Sequence, residues 1–151
     1  MRWAEPKDYA ALGELMFDAV HNGPSPYTQA QRAAWMPAPR AGAAWDARLG
    51  AQAIVLEEQA GAILGFMSLA RQGYIDFAYI RAAARGSGLF KRLYAEIERM
   101  ARARGEPRLW VHASLAAKPA FAAAGFAIVE RESVALGDQM LDRFVMEKRL
   151  A

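Results

Sequence analysis

Helical periodicity dominates the first third of the chain. Apolar residues recur at the i, i+3, i+4, i+7 spacing of one helical face at Leu12, Leu15, Met16, Ala19 and Val20. This spacing predicts a helix over residues 8–20 with Asp8 as its N-cap, ended by the Asn-Gly-Pro-Ser-Pro run at 22–26. Thr28 can cap a second helix that stops before Pro37, and residues 43–49 predict a third, short helix.

From residue 51 the pattern changes to short apolar runs separated by turn residues. Residues 53–56, 63–70 and 74–80 predict three antiparallel strands, because each run is bounded by Gly-containing or polar turns. Alternation along the third strand predicts one face that carries Tyr74, Asp76, Ala78 and Ile80.

The second half alternates helix and strand. The clearest helix starts at residue 89, carries a stripe of Leu89, Leu93, Ile97 and Met100, and ends at Gly105 and Pro107. A strand at 109–113, a helix at 115–124, and strands at 126–136 and 140–146 follow. We therefore predict one α/β (α+β) domain over residues 1–151. Its mixed, mostly antiparallel sheet has a central βαβ unit, one splayed strand pair and helices on both faces.

Composition and charge exclude several functional classes. The 151 residues are 54% hydrophobic with a net charge of +3, which suits one globular domain and gives little support for nucleic-acid binding. The sequence has no Cys and only two His, so we expect no disulfide and no metal site. No apolar run approaches the ~20 residues that span a bilayer. We expect a soluble, cytoplasmic protein without membrane partners.

Two glycines lie between the third strand and the long helix, in Arg85-Gly86-Ser87-Gly88-Leu89-Phe90. Glycine lets the backbone approach a ligand closely, and the first N–H groups of a helix have no partners inside it. With the positive end of the helix dipole and nearby basic residues, these groups favour a pyrophosphate. The loop lacks the Walker A lysine and the three-glycine dinucleotide fingerprint, and a tight turn with a flexible cap is the alternative interpretation.

This loop and the order of elements around it resemble the GNAT superfamily of acetyl-CoA-dependent N-acyltransferases over nearly the whole chain. Arg85 and Gly88 match its signature of Arg or Gln, two residues, Gly, one residue, and Gly or Ala; Gly86 is common in relatives. The segments YIDFAYIRAAARGSGLFKRLYAEIE, HASLAAKPAFAAAGF and RFVMEKRL also resemble a bacterial subgroup labelled YafP-like. Phe90 departs from the signature, and its ring could turn away, crowd the pyrophosphate or select another acyl-CoA.

The resemblance implies a V-shaped opening between the strands at 74–80 and 109–113, with acetyl-CoA lying in it. The pantetheine amides would bond to the backbone of the first strand as a pseudo-strand, and the pyrophosphate would reach the glycine loop. The residues implied to contact the cofactor are Ala78, Tyr79, Ile80, Arg85, Gly86, Ser87, Gly88, Leu89, Phe90, Lys91, Ser114 and Phe121.

The resemblance also implies direct transfer, in which a neutral amine attacks the thioester and a backbone N–H stabilises the oxyanion. Many relatives carry Glu at the position of Tyr74. Asp76, on the same predicted face, is the candidate base, with a solvated strand Asp as the alternative. In the family, a Tyr that acts as general acid usually occupies the position of Phe121. Phe121 cannot donate a proton. The thiolate then leaves unassisted or takes a proton from Ser114, His112 or a nearby Tyr. A structural role is the alternative for His112.

An acceptor pocket is implied between the first two helices, their loop and the final hairpin. Its candidate residues are Tyr27, Trp35 and Tyr74, with Trp45 as a fourth aromatic, although aromatics at helical spacing also pack in cores. We expect a small-molecule primary amine as acceptor and no nucleic acid. The sequence does not separate an aromatic amine from an amino acid, a polyamine or a protein N-terminus. Many relatives dimerise, so a homodimer is one state to test. The alternative function is a non-catalytic acyl-CoA-binding or sensor protein of the same fold.

Overall fold

The computed structural model describes residues 1–150. Within them the chain forms seven strands and five α-helices. The strands are β1 (Arg2–Trp3), β2 (Ala53–Gln59), β3 (Ala62–Leu69), β4 (Tyr74–Ile80), β5 (Arg108–Ser114), β6 (Ala127–Leu136) and β7 (Gln139–Arg149). The helices are α1 (Tyr9–His21), α2 (Gln29–Trp35), α3 (Ala43–Gly50), α4 (Leu89–Ala103) and α5 (Lys118–Ala123). Short 3-10 turns lie at Pro6–Asp8, Arg71–Gly73 and Ala82–Ala84.

The strands form one mixed sheet in the order β1-β2-β3-β4-β5-β7-β6. Neighbours pair antiparallel except β4 and β5, which are parallel and are joined through α4. The predicted mixed sheet with a central βαβ unit is therefore confirmed.

Two hydrophobic clusters cover the two faces of this sheet. On one face, Leu12, Leu15 and Met16 of α1 pack with Trp45 of α3 and with Phe66 of β3. On the other face, the α4 stripe packs with Phe121 of α5 and with strand residues such as Met67, Ile75 and Val111. Helices on both faces were predicted and are confirmed. Trp45 belongs to this core: it is 5% exposed, and its Nε1 donates to the carbonyl of Tyr9.

A bulge in β4 corrects the predicted alternation along this strand. The register runs Met67↔Ala78 but Leu69↔Ile75, so β4 carries one extra residue opposite Ser68. The Ser68 hydroxyl accepts a hydrogen bond from Phe77 N–H at 3.0 Å, inside the irregular part of the ladder. As a result, Ala78 packs with the α4 cluster, while Asp76 bonds to Arg48 of α3.

Local differences from the prediction lie at element ends. The sequence did not predict β1, which is only two residues long. Asp8 precedes α1 as predicted, but its carboxylate accepts from Arg2 and from the N–H of Glu5 rather than capping the helix. Helix α5 begins three residues later than predicted, because Ser114 Oγ and Ser114 C=O both accept from Ala117 N–H in a preceding turn.

Residues 1–150 include no helix long and apolar enough to cross a membrane. The same stretch holds no cluster of three or more metal-ligating side chains suited to a metal ion.

Candidate functional site

The parallel pair β4–β5 opens after two residue pairs. Only Tyr74↔Trp110 and Ile75↔Val111 are in register, and beyond them the strands separate as predicted. Arg81 N–H donates to Leu64 C=O of β3, so strand alternation turns the backbone groups of Ala78 and Ile80 the other way, toward the gap. The gap therefore has a polar backbone edge that no neighbouring strand covers within residues 1–150.

A small cavity of about 60 Å³ lies where the strands part. Ala78, Val111 and Phe121, which belong to the α4 side of the sheet, line one end of it. Asp76, Tyr79, His112, Ser114 and Trp35 line the other end. The small cavity is thus a passage through the sheet.

A large cavity of about 260 Å³ adjoins the passage on the α1–α3 side. Trp35, Asp76, Tyr79, His112 and Ser114 line both spaces. The rest of its wall comes from α1, the segment between α1 and α3, α3 itself, β4 and the β6–β7 hairpin. It includes Tyr27, Arg40, Arg48, Tyr74, Leu141 and Arg143. Ligands on opposite faces of the sheet could therefore meet at one point.

The predicted glycine loop has the backbone that an anion site requires. Gly86 and Gly88 have φ values of +77° and +79°, which favour glycine, and a Cβ at Gly86 would meet no atom within 4 Å. Ser87 Oγ donates to Ala84 C=O, and the Arg92 guanidinium donates to Ser87 C=O at 3.0 Å. The loop is fixed by its own side chains, while the space above Gly86 stays open.

The other residues predicted at this loop differ in what their side chains do. Arg85 donates to the carbonyls of Ala19 and Pro24, so its guanidinium holds the end of α1. Leu89 is buried in the α4 cluster, which leaves only its backbone for a ligand. Lys91 is exposed and makes no ion pair within residues 1–150.

Phe90 turns toward α5 and not over the loop. Its ring packs edge-on against Phe121, with 5.0 Å between ring centroids, and it joins the α4 cluster. The ring leaves the space above Gly86 free, which favours the first of the three orientations considered for it.

Asp76 is held by three donors. Arg48 Nε and Nη2 donate to its two carboxylate oxygens at 3.0 and 2.8 Å, and Gln52 Nε2 donates at 2.7 Å. The role of Asp76 as a base stays a prediction, and its bonds indicate that it also holds α3 against β4.

A second polar group lies beside Asp76. The Tyr74 hydroxyl and His112 Nδ1 are hydrogen bonded at 2.9 Å, and His112 Nε2 lies 3.8 Å from Glu132, which pairs with Arg143. Burial, followed by the positive charge of Arg143, lowers the pKa of His112. Burial raises the pKa of Tyr74. Near neutral pH this is therefore an uncharged Tyr–His pair at the mouth of the passage.

Two predicted acceptor residues, Tyr27 and Trp35, line the large cavity, and Trp35 also lines the passage. Tyr27 is 5% exposed; its hydroxyl donates to Asp142 C=O at 2.6 Å and accepts from Leu115 N–H at 2.9 Å. Trp35 packs against the rings of Tyr27 and Tyr79. Tyr27 thus links the α1–α2 segment, β7 and the end of β5.

Sequence reasoning missed the three arginines of the large cavity, Arg40, Arg48 and Arg143. Each lies on a different element or loop, and their convergence depends on how α3 and β7 dock. Arg40 follows Pro37-Ala38-Pro39, and no local pattern marked it.

Comparison with known proteins agrees with this geometry. A GCN5-related N-acetyltransferase structure from Rhodopseudomonas palustris is 28% identical, with a TM-score of 0.88 over 99% of this chain and 94% of that one. Two others share the fold: ribosomal-protein-alanine N-acetyltransferase of Brucella melitensis (23% identity, TM-score 0.70, 99% and 98% covered), and YncA of Salmonella typhimurium, solved with its cofactor acetyl-CoA (20%, 0.69, 99% and 92%). No protein with a curated description is similar enough to match.

Residues 25–149 match the family model described as acetyltransferase (GNAT) domain. This match spans most of the chain and includes β4, the glycine loop, α4 and β5, whereas the narrower YafP-like resemblance stays a prediction. The chain therefore belongs to the GNAT family of acetyltransferases.

Proposed function

We propose that this protein is an N-acetyltransferase that moves the acetyl group of acetyl-CoA directly to a primary amine of a small molecule. The observation that carries the proposal is the passage between β4 and β5. It joins the backbone edge of Ala78 and Ile80 to a separate cavity large enough for a second, small ligand.

The residues around the cleft fit acetyl-CoA. The backbone groups of Ala78 and Ile80 suit the pantetheine amides, which would lie beside β4 as an added strand. The N–H groups from Gly86 to Phe90, at the N-terminus of α4, suit the pyrophosphate, and exposed Lys91 adds positive charge. Ser114 and Phe121 line the passage, where the thioester end would lie.

When bound, acetyl-CoA supplies a thioester carbon open to attack. In the transfer, the amine nitrogen forms a bond to this carbon and the carbon–sulfur bond breaks, which gives an amide and the thiol of CoA. The N–H of Ala78 faces the gap and would stabilise the negative charge that develops on the carbonyl oxygen. One proton leaves the amine, and one is taken up by the sulfur.

The Tyr74–His112 pair is our candidate for accepting the amine proton. The lowered pKa of His112 leaves the imidazole uncharged at neutral pH, so it can accept a proton. Its hydrogen bond to the Tyr74 hydroxyl connects the imidazole to a second polar group of the large cavity. Asp76 and Ser114 remain candidates. Ser114 lines both cavities, and its hydroxyl is a candidate to give the thiolate the proton that Phe121 cannot supply.

The acceptor cavity also bears on the remaining expectations. Its volume of about 260 Å³ is below the ~300–1,000 Å³ typical of pockets for drug-sized ligands, which suits a small amine. A cytoplasmic location, a bacterial source, the absence of nucleic-acid and membrane partners, and a homodimer remain part of the proposal.

A paired substitution tests acetyl-CoA binding. Gly86→Asp puts a carboxylate where the pyrophosphate would bind, and Gly61→Asp is its control. Gly61 has a similar φ of +80° and open space around it, so both variants carry the same backbone strain. By calorimetric titration we expect micromolar binding of acetyl-CoA to the parent and to Gly61→Asp, and at least about 10-fold weaker binding to Gly86→Asp. Equal affinities would refute the site.

The alternative, a non-catalytic sensor, predicts a different pattern. Phe121 lacks the proton that the family's Tyr supplies, which is the observation that favours it. A sensor would bind acetyl-CoA equally well but would release no CoA with any amine in a broad panel. Amine-dependent release of CoA, measured by a thiol reagent, would reject the sensor.

A further inference from the structure

Arg40 is a charged group of the large cavity that the proposed chemistry does not use. Its guanidinium lies over the ring of Trp45, with the Cζ 6.0 Å from the ring centroid. Among residues 1–150, no carboxylate lies within 4.0 Å of it and no side-chain hydrogen bond satisfies its donors. A partly buried guanidinium with five free donors is a strong site for an anion.

The other charges around the cavity are already matched. Arg48 pairs with Asp76, Arg143 with Glu132, and Asp142 with Arg131. The cavity therefore carries one unmatched positive charge, at Arg40. A cationic or neutral acceptor would leave this charge without a partner in a partly desolvated space.

The backbone of Arg40 is fixed against α1. A Cβ at Gly13 would stand 1.9 Å from the Arg40 carbonyl oxygen, so this approach requires glycine on α1. On the cavity side, burial raises the pKa of Tyr79, and the positive charge of Arg40 opposes this rise. Tyr79 lines both the large cavity and the passage.

We infer that the acceptor is an amine with an anionic group, a carboxylate or a phosphate, at its other end, and that Arg40 binds this group. The inference rests on the proposed function for its amine end only. The amine would point to the passage, where the Tyr74–His112 pair lies, and the anionic group would pair with the Arg40 guanidinium. Arg40 is thus a specificity-determining residue and not a catalytic one.

Binding of acetylated products tests the charge requirement without any turnover. The probes are N-acetyl derivatives of glycine, β-alanine and 4-aminobutyrate, their neutral carboxamides, and N-acetyl aminoalkyl phosphonates of the same lengths. Binding is followed through the fluorescence of Trp35 and Trp45. The carboxamides report the neutral case, and the phosphonates separate a phosphate site from a carboxylate site.

We expect one anionic series to bind at least about 10-fold more tightly than the carboxamides, and Arg40→Gln to abolish this difference. Arg104→Gln is the control, because Arg104 is exposed at the end of α4 and makes no ion pair within residues 1–150. Equal binding of the neutral series, a preference that survives Arg40→Gln, or no binding by any probe would overturn the inference.

Turnover of the free amines distinguishes the two proposals. If amines are acetylated, Arg40→Gln should raise the KM of the amines that carry an anionic group about 10- to 100-fold. The kcat for these amines, and the KM of the amines that carry a neutral carboxamide, should stay nearly unchanged. If no amine is acetylated but the anionic products bind through Arg40, the proposed function fails and the anion site stands.

Discussion

Replacing Tyr27 by Phe removes one hydroxyl that joins three segments of the cavity wall. This hydroxyl donates to Asp142 C=O at 2.6 Å and accepts from Leu115 N–H at 2.9 Å. A buried polar group left without its partner costs about 1–3 kcal/mol. Since Leu115 and Asp142 are half-buried and partly reached by water, we take about 1 kcal/mol for each, or about 2 kcal/mol together.

This loss should be visible as a lower melting temperature. For a chain of this length, 1 kcal/mol corresponds to roughly 2–4 °C, so Tyr27→Phe should melt about 4–8 °C below the parent. Tyr9→Phe is the matched control, because Tyr9 is also buried but its hydroxyl makes no hydrogen bond within residues 1–150. Melting is followed by circular dichroism. Equal melting temperatures for the two variants would refute the bridging role of Tyr27.

Three further substitutions test the proton chemistry and the cleft. Because the pKa of His112 lies below the usual 6.5, kcat should rise with pH through a value under 6.5. His112→Gln should lose this pH-dependent rise and lower kcat about 100-fold. An unchanged pH profile would exclude His112 as the base. Asp76→Asn should weaken the bond to Arg48 and lower the melting temperature while keeping the His112 limb; loss of an alkaline-rising limb would instead make Asp76 the base. Phe90→Ala should remove the edge-on contact with Phe121 and, because the ring is only half-buried, destabilise the fold by about 1–2 kcal/mol with little change in acetyl-CoA affinity. A large gain in affinity would show that the ring obstructs the cofactor.

The sequence predicted the order of elements, because this order depends on local periodicity and on turn residues. The place where the sheet opens was implied by the resemblance to the GNAT family. The sequence did not predict the bulge in β4. Alternation in a strand is a local rule, whereas this bulge depends on Ser68, a residue of the neighbouring strand whose hydroxyl bonds to Phe77 N–H. The shift moves Ala78 to the opposite face from Asp76, and only the paired strands reveal it.

Charged residues were predicted less well than glycines. The two loop glycines were identified because the ability to adopt a positive φ is a property of glycine itself, which the sequence shows directly. The guanidinium of Arg85 was expected near the phosphates, but it donates to carbonyls of α1 and the following loop. These carbonyls are more than 60 positions away in the sequence, so no local pattern shows that they lie beside Arg85. Arg40 was missed for the same reason. Its inferred role follows from the absence, among residues 1–150, of a carboxylate near its guanidinium, and only the folded structure shows this.

Apart from β4, which contributes to both, the two walls of the cleft belong to different stretches of the chain. The side that we propose for the acyl donor consists of backbone of β4, the glycine loop and α4, and many side chains can be exchanged there without altering those backbone groups. The opposite wall consists of side chains, and several of them come from the segment between α1 and α3 and from the β6–β7 hairpin. Under the proposed function, a change of acceptor amine therefore requires substitutions in only a few segments of the cavity wall, whereas the backbone groups proposed for the donor stay the same.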